Sequence, residues 1–213
     1  MAGDVVETVG ALRPGEDVVD LLLGHLLGAL VSLRCVVEHP TFARRLVLED
    51  PPGSDSVDFA RLGAEARLSP AAARADPEDA ARTRFGGASA HLPTAIRQAI
   101  VDAVAAADPV YVPAVLEHLV DTDLIVLSER CEAPTLALLA RDKPGGLGRD
   151  TGSTLREEMA DHSALVGEER QRFMAALQRG HVCEIDSGHS LHHLAFDRYV
   201  VLLSRWLAET DGQ

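Results

Sequence analysis

The stretch that decides the fold is residues 17–30, which read DVVDLLLGHLLGAL. The apolar run at residues 18–23 has the length and composition of a strand buried on both faces of a parallel sheet. Gly24 and Gly28 bound a short turn, and the apolar spacing of residues 27–38 predicts a helix that ends before Pro40. The pattern therefore predicts a strand that leads through a tight turn directly into a helix.

The glycine spacing in this turn is that of G-x-S-x-G, the nucleophile elbow, a strained strand-to-helix turn that presents a nucleophilic serine. Leu26 occupies the nucleophile position, directly after His25. Because a leucine side chain has no atom that can attack a carbonyl carbon, acyl-enzyme chemistry at this position is excluded. Two backbone geometries remain open for Leu26: a turn that has relaxed toward helix, or a strained turn kept by close strand–helix packing at Gly24 and Gly28.

Three further strands and three further helices follow from the apolar patterns of the rest of the core. The predicted strands are residues 46–49, 135–140 and 181–185, and the predicted helices are residues 4–12, 168–179 and 197–209. A strand, a helix and a second strand in succession predict a right-handed βαβ unit. The sequence thus predicts the α/β class, with a parallel sheet and flanking helices.

The turn and its continuation through residues 31–52, together with residues 133–142 and 183–192, resemble the α/β-hydrolase family in both content and order. The resemblance is to the small esterase, lactonase and epoxide-hydrolase type. It implies a partial α/β-hydrolase core at residues 1–53 and 124–213, with a helical cap inserted at residues 54–123. Helical patterns at residues 95–107 and 115–120 fit such a cap, which roofs the active site in this family.

The resemblance also assigns the residual triad. His189, within Gly188-His189-Ser190, matches the triad histidine, and Asp142, at the end of the third strand, matches the acid that orients it. Asp150, Glu49 and Asp50 are alternative acids, and Asp50 could instead cap the turn at Pro51. A histidine–aspartate pair without a serine can still act as a general base.

His25, Leu27 and Asp50 are expected to line a ligand pocket at the elbow. Ser32 and Cys35 are better explained as packing residues of the helix than as replacement nucleophiles. The set His189, His192, His193 and Asp186 does not have the spacing of a metal motif. No metal and no cofactor is therefore predicted.

Composition excludes several classes of partner. The 213-residue chain has 20 basic and 33 acidic side chains, a net charge of −13 and a pI near 5.0, which argue against nucleic-acid and anionic-membrane surfaces. No apolar run approaches the ~18 residues that span a bilayer. The three cysteines form no CxxC pair, and no signal peptide opens the chain, so a cytoplasmic location is predicted.

The elbow strand is central in the family's sheet, yet only a helix precedes it here. The resemblance therefore implies an N-terminally shortened core, in which this apolar strand lies at an edge and invites pairing with another chain. A homodimer or a partner chain at that edge is predicted. A truncated product or a misassigned start is the alternative explanation.

Three functions are consistent with these residues. The first is a non-hydrolytic pseudoenzyme that binds a small apolar molecule under the cap or acts as a scaffold. The second is an enzyme that uses the His189–Asp142 pair as acid and base on a small ester, lactone or polyketide-like substrate. The third is an inactive fragment of a serine hydrolase. Whether the chain is an enzyme stays open, since Leu26 stands at the nucleophile position of a serine-hydrolase motif.

Overall fold

A computed structural model describes residues 1–15, 18–54, 57, 71, 74–76, 94–108, 110, 115, 122–141 and 162–211. The strands in these ranges are β1 (Leu22–His25), β2 (Leu46–Glu49), β3 (Thr135–Ala140) and β4 (Gly180–Ile185). The helices are α1 (Ala2–Leu12), α2 (Leu27–Glu38), α3 (Thr94–Ala106), α4 (Leu124–Glu129), α5 (Gly167–Ala176), α6 (Leu191–Leu194) and α7 (Phe196–Thr210).

The described strands form one parallel sheet in the order β1-β2-β3-β4. His25 pairs with Glu49 and Ala140 pairs with Ile185, so all four strands end at the same edge of the sheet. The predicted α/β class with a parallel sheet is confirmed. Within the described residues β1 also lies at an edge of the sheet, as predicted.

Alternation along the strands divides the core into two layers. Leu48 of β2 and Leu139 of β3 belong to the larger apolar cluster, which contains residues of α1, α2, α4 and α5. Val47 and Leu138 belong to the second cluster, which contains Trp206 and other residues of α6 and α7. Because neighbouring side chains of a strand point to opposite faces, the sheet is covered by helices on both sides.

Two predicted boundaries were wrong. The sequence predicts the first strand at residues 18–23, whereas β1 spans Leu22–His25. Before β1, an isolated bridge joins Val19 to Ala43. Between this bridge and β1, the Asp20 carboxylate pairs with the Arg45 guanidinium. The helix predicted at residues 168–179 ends at Ala176, since a tight turn must return the chain to β4. Apolar spacing locates buried residues, not the points where hydrogen-bonding ladders begin and end.

Most of the predicted cap, residues 54–123, lies outside the described residues. The helix expected at residues 95–107 is present as α3, whereas the one expected at residues 115–120 falls on residues that are not described, apart from Val115. The division into core and cap therefore stays a prediction. Among the helices described, none combines the length and the apolar character that crossing a bilayer requires.

Candidate functional site

The turn between β1 and α2 keeps the strained elbow geometry. Leu26 has φ 50° and ψ −118°, a left-handed conformation that non-glycine residues rarely adopt. Such a residue costs on the order of 1–3 kcal/mol and persists where the surrounding structure imposes it. Hydrogen bonds impose it here: Leu26 donates its N–H to the Glu49 carbonyl at 3.1 Å, and its own carbonyl accepts from Ala29 at 2.9 Å. The strained turn, and not the relaxed one, is the geometry present.

Close packing of the helix on the strand depends on Gly24. A Cβ atom on Gly24 would lie 2.2 Å from the Gly28 carbonyl oxygen, so no side chain fits there. A Cβ atom on Gly28 would meet nothing within 4 Å. The close strand–helix packing therefore joins these two residues, but it requires a glycine only at position 24, because Gly28 makes the contact with its backbone.

A second strained turn lies beside the first. Asp50 has φ 40° and follows Glu49 of β2 just as Leu26 follows His25 of β1, and His25 and Glu49 are partners in the ladder. Asp50 donates its N–H to the Leu138 carbonyl of β3 at 2.8 Å. In the described part of the chain, Leu26 and Asp50 are the non-glycine residues with positive φ. Both strained residues stand where ligands bind in open parallel sheets, just beyond the carboxyl ends of the strands.

The Asp50 carboxylate is fully buried and contacts donors from three other segments. One oxygen, Oδ1, accepts from the Ala140 N–H at 3.1 Å and from the Ser163 hydroxyl at 2.6 Å. The other, Oδ2, accepts from the Ala164 N–H at 2.7 Å and lies 2.7 Å from Nδ1 of His189. A buried carboxylate needs such partners, and this set fixes the position of the aspartate.

His189 is held by that aspartate with one nitrogen free. The residue is 0% exposed, and its Nδ1 is the ring atom that meets Asp50. Because the carboxylate accepts, Nδ1 carries a hydrogen, and in the neutral imidazole Nε2 has the lone pair. Nε2 is buried and has no hydrogen-bond partner in the described part of the structure. This pair has the arrangement of a general base and the acid that orients it.

Of the carboxylates proposed from sequence as the acid that orients His189, the structure brings a different one to the histidine than the first choice, Asp142. Asp142 and Asp150 lie outside the described residues. Glu49 contacts His192 rather than His189. Asp50, named only as an alternative acid and a pocket residue, provides the carboxylate that meets His189. The signal that could have favoured it is its place after the fully buried strand β2, directly before a Pro-Pro pair that stops the strand.

A buried arginine supports the segment that holds Asp50. Arg170 of α5 is 0% exposed and donates to the Leu165 carbonyl at 3.2 Å, while its other end meets Glu184 of β4 at 2.6 Å. The Ser163 hydroxyl, whose one hydrogen goes to Asp50, accepts from Arg170 at 3.5 Å and from the Leu165 N–H at 3.1 Å. Arg170 therefore fixes the loop whose hydroxyl and amide groups orient the aspartate.

A second group of side chains lies beside the pair. The ring of His25 is 4.4 Å from that of His189 and 5.1 Å from that of His192, between centroids. Nδ1 of His192 lies 2.6 Å from Oε1 of Glu49, which is 1% exposed. Tyr199 of α7 also lies close enough to Glu49 for the carboxylate to raise the pKa of its hydroxyl. The carboxyl edge of the sheet thus carries two adjacent histidine–carboxylate pairs.

Burial and neighbouring charges set the protonation of this second group. Burial, reinforced by His189, lowers the pKa of His25 from 6.5 to about 4, so its imidazole is neutral near pH 7. Burial alone would raise the pKa of Glu49. The hydrogen bond from His192, together with the positive charge that His25 gains in acid, outweighs burial and lowers that pKa. Burial and the adjacent Glu49 raise the pKa of Tyr199, which keeps its hydroxyl protonated.

The remaining sequence candidates make packing contacts or ion pairs. Ser32 and Cys35 are both buried in α2, and the Cys35 thiol donates to the Ala2 carbonyl at 3.5 Å. Burial raises the pKa of Cys35 to about 11, which removes the thiolate that a nucleophile needs. Leu27 packs against the larger apolar cluster, as Leu26 does. Asp186 pairs with Arg141.

No protein-family model matches the sequence, and no characterised protein matches it by sequence. Solved structures do match. The enol-lactonase from Burkholderia xenovorans LB400 matches with a TM-score of 0.67 and 14% identity, over 97% of this chain and 71% of its own. The esterase EaEST from Exiguobacterium antarcticum matches with a TM-score of 0.63 and 14% identity, over 98% of this chain and 72% of its own.

The meta-cleavage product hydrolase CumD from Pseudomonas fluorescens IP01, as a mutant complexed with acetates, gives a TM-score of 0.64 and 10% identity, over 99% of this chain and 71% of its own. Structural similarity at such identities establishes the fold. The chain therefore has the α/β-hydrolase fold, as its resemblance to that family implied. It spans about seven tenths of the length of each of these neighbours.

Proposed function

We propose that this α/β-hydrolase-fold protein binds a small, mostly apolar molecule at the elbow and does not form an acyl-enzyme. The observation that supports the proposal is the buried Nε2 of His189, which Asp50 orients from the other side of the ring at 2.7 Å. A ligand hydroxyl could donate to that nitrogen. Leu26, in its strained turn, supplies an apolar side chain where a hydrolase of this fold would carry its nucleophile.

The absence of acyl-enzyme chemistry is tested with a fluorophosphonate, a reagent that phosphonylates activated serines. After incubation of the whole chain, mass spectrometry should find no covalent adduct, because Leu26 cannot react. A stoichiometric adduct on any serine would contradict this part of the proposal. It would also show which hydroxyl replaces the missing nucleophile.

Binding is tested with p-nitrophenol, an apolar ring that carries one acidic hydroxyl. Titration followed by absorbance should saturate at one molecule per chain. His189→Gln should weaken binding about tenfold, the equivalent of one hydrogen bond of about 1.4 kcal/mol. The matched control is His181→Gln, because His181 is exposed near the start of β4 and far from the turn. Equal affinities in wild type and His189→Gln would reject the site.

A second candidate function is proton transfer by His189. The Nδ1–Oδ2 distance of 2.7 Å to Asp50 supports it, since a base held in one tautomer by a carboxylate is the usual general-base arrangement. This activity is distinguished from simple binding with cyclohexanone in D2O, followed by NMR. Proton abstraction would exchange the hydrogens next to the carbonyl faster than buffer does.

General bases contribute on the order of 100-fold or more to such rates, so His189→Gln should lose about that factor. His181→Gln should keep the wild-type rate. If wild-type protein exchanges no faster than buffer while p-nitrophenol still binds, the protein is a binder and the enzymatic candidate fails.

A further inference from the structure

The second histidine–carboxylate group has the composition of a metal site. His25 ends β1, Glu49 ends β2 and His192 lies in α6, and one ligand atom from each lies within 4.8 Å of the other two. We propose that His25, Glu49 and His192 bind a zinc ion. Two histidines and one glutamate form a known protein ligand set for zinc sites with an open coordination position.

The prediction of no metal rested on the spacing of the histidines and the aspartate within residues 186–193. His25 and Glu49 are far from His192 in the chain, so no spacing motif links these three residues. The ladder brings two of them together, since His25 pairs directly with Glu49. Paired residues of neighbouring parallel strands project to the same face of the sheet. Glu49 also accepts from the backbone N–H of His192 at 3.1 Å, which places the third residue beside it. The ligand positions are therefore set by backbone contacts.

One of the donor residues has an unused buried nitrogen. Nε2 of His25 is buried and has no hydrogen-bond partner in the described part of the structure. An unpaired buried polar atom destabilises the fold, and a bound ion would offset that cost.

The third ligand can exchange a hydrogen bond for the metal. Nδ1 of His192 lies 2.6 Å from Oε1 of Glu49, so one hydrogen lies between them. In the neutral imidazole tautomer with the hydrogen on Nε2, Nδ1 has a lone pair that can coordinate the ion. The His192 side chain is 34% exposed, whereas Glu49 is 1% exposed. Solvent therefore reaches the site from the His192 side, which gives an entry path for the ion.

Tyr199 gives the site an outer partner. Its hydroxyl lies near Glu49, and outer hydrogen-bond donors in such positions orient ligating carboxylates. Losing such a partner usually weakens metal binding about 10- to 100-fold. The proposed site is beside His189, with the rings of His25 and His189 4.4 Å apart, but it does not depend on any function of His189.

The test is zinc titration of the whole chain after dialysis against a chelator, followed by calorimetry. One ion should bind per chain. His192→Gln and His25→Gln should each weaken binding at least about 100-fold, more than Tyr199→Phe, for which about tenfold is expected. The matched control is His181→Gln, which removes an exposed histidine of β4 and should leave the affinity unchanged.

Cobalt provides a second measurement that needs no variant. A cobalt ion in a site with two histidines and one carboxylate absorbs visible light more strongly than the hydrated ion does. No saturable zinc binding, or no new cobalt band in the wild type, would overturn the proposal. So would a zinc affinity in His192→Gln or His25→Gln within twofold of wild type, provided that the variant unfolds cooperatively without metal.

Discussion

At the scale of single residues, strain at Leu26 is imposed by contacts on both sides. Its N–H is used by Glu49 of the neighbouring strand and its carbonyl by the first turn of α2, so the peptide cannot rotate without breaking one of them. Asp50 has the same constraint one strand further into the sheet, at φ 40°. Both residues adopt strained backbone conformations, which place them beside the carboxyl edge of the sheet.

The penalty at Leu26 can be measured with two truncations. Leu26→Gly and Leu26→Ala both remove the packing of the leucine, but only alanine retains a Cβ atom at φ 50°. We expect Leu26→Gly to be more stable than Leu26→Ala by about 1 kcal/mol, since the left-handed conformation costs non-glycine residues about that much. Denaturant unfolding of both variants gives the difference. An alanine variant at least as stable as the glycine variant would mean that the turn relaxes.

At the scale of elements, the position of α2 on β1 sets the geometry of the site. The helix approaches the strand so closely that a Cβ on Gly24 would lie 2.2 Å from the Gly28 carbonyl. This contact fixes the direction in which the chain leaves the elbow. The loop at residues 162–166 orients the Asp50 carboxylate, and a hydrogen bond from Arg170 of α5 fixes this loop.

The two glycines provide a matched comparison. Gly24→Ala must push α2 away from β1, and we expect the free energy of unfolding to fall by about 3 kcal/mol, as in overpacked cores. Gly28→Ala adds its methyl group to open space in the first turn of α2, so the free energy of unfolding should rise by about 0.5 kcal/mol. Equilibrium denaturation of both variants tests the pair. Equal effects would show that the close approach is not maintained in solution.

At the scale of the whole molecule, the described sheet ends at β1. Leu23 of that strand is 42% exposed, and a groove of about 370 Å³ lies next to it, between α1 and residues 19–21. Its lining includes the apolar side chains of Val9, Leu12 and Val19. An apolar edge strand beside an apolar groove favours association with another chain.

We therefore expect the protein to self-associate, as the sequence predicted. Light scattering during size-exclusion chromatography should give a mass above that of one 22.7 kDa chain, and Leu23→Lys should shift it toward the monomer, because a charge blocks edge pairing. Val201→Lys is the control: it places the same charge on an exposed apolar residue of α7. A wild-type mass equal to one chain would contradict the expectation.

The sequence by itself determined the class of fold and the positions of its main turns. Buried apolar runs locate strands, and the glycine spacing after residue 23 identifies an elbow, because both signals are local and steric. His189 was assigned through the resemblance to the α/β-hydrolase family, whose triad histidine follows a strand in a similar loop. The identity of residue 26 also excluded acyl-enzyme chemistry at that position without any coordinates.

Only the tertiary structure decided which side chains meet. Asp50 and His189 are 139 residues apart, and Glu49 and His192 are 143 apart, so no local pattern links them. Their contact depends on the order of strands and on the loop at residues 162–166, both of which arise from packing across the sheet. Non-local contacts decide which side chains lie close together in a folded core, whereas sequence patterns report mainly on contacts between neighbouring residues of the chain.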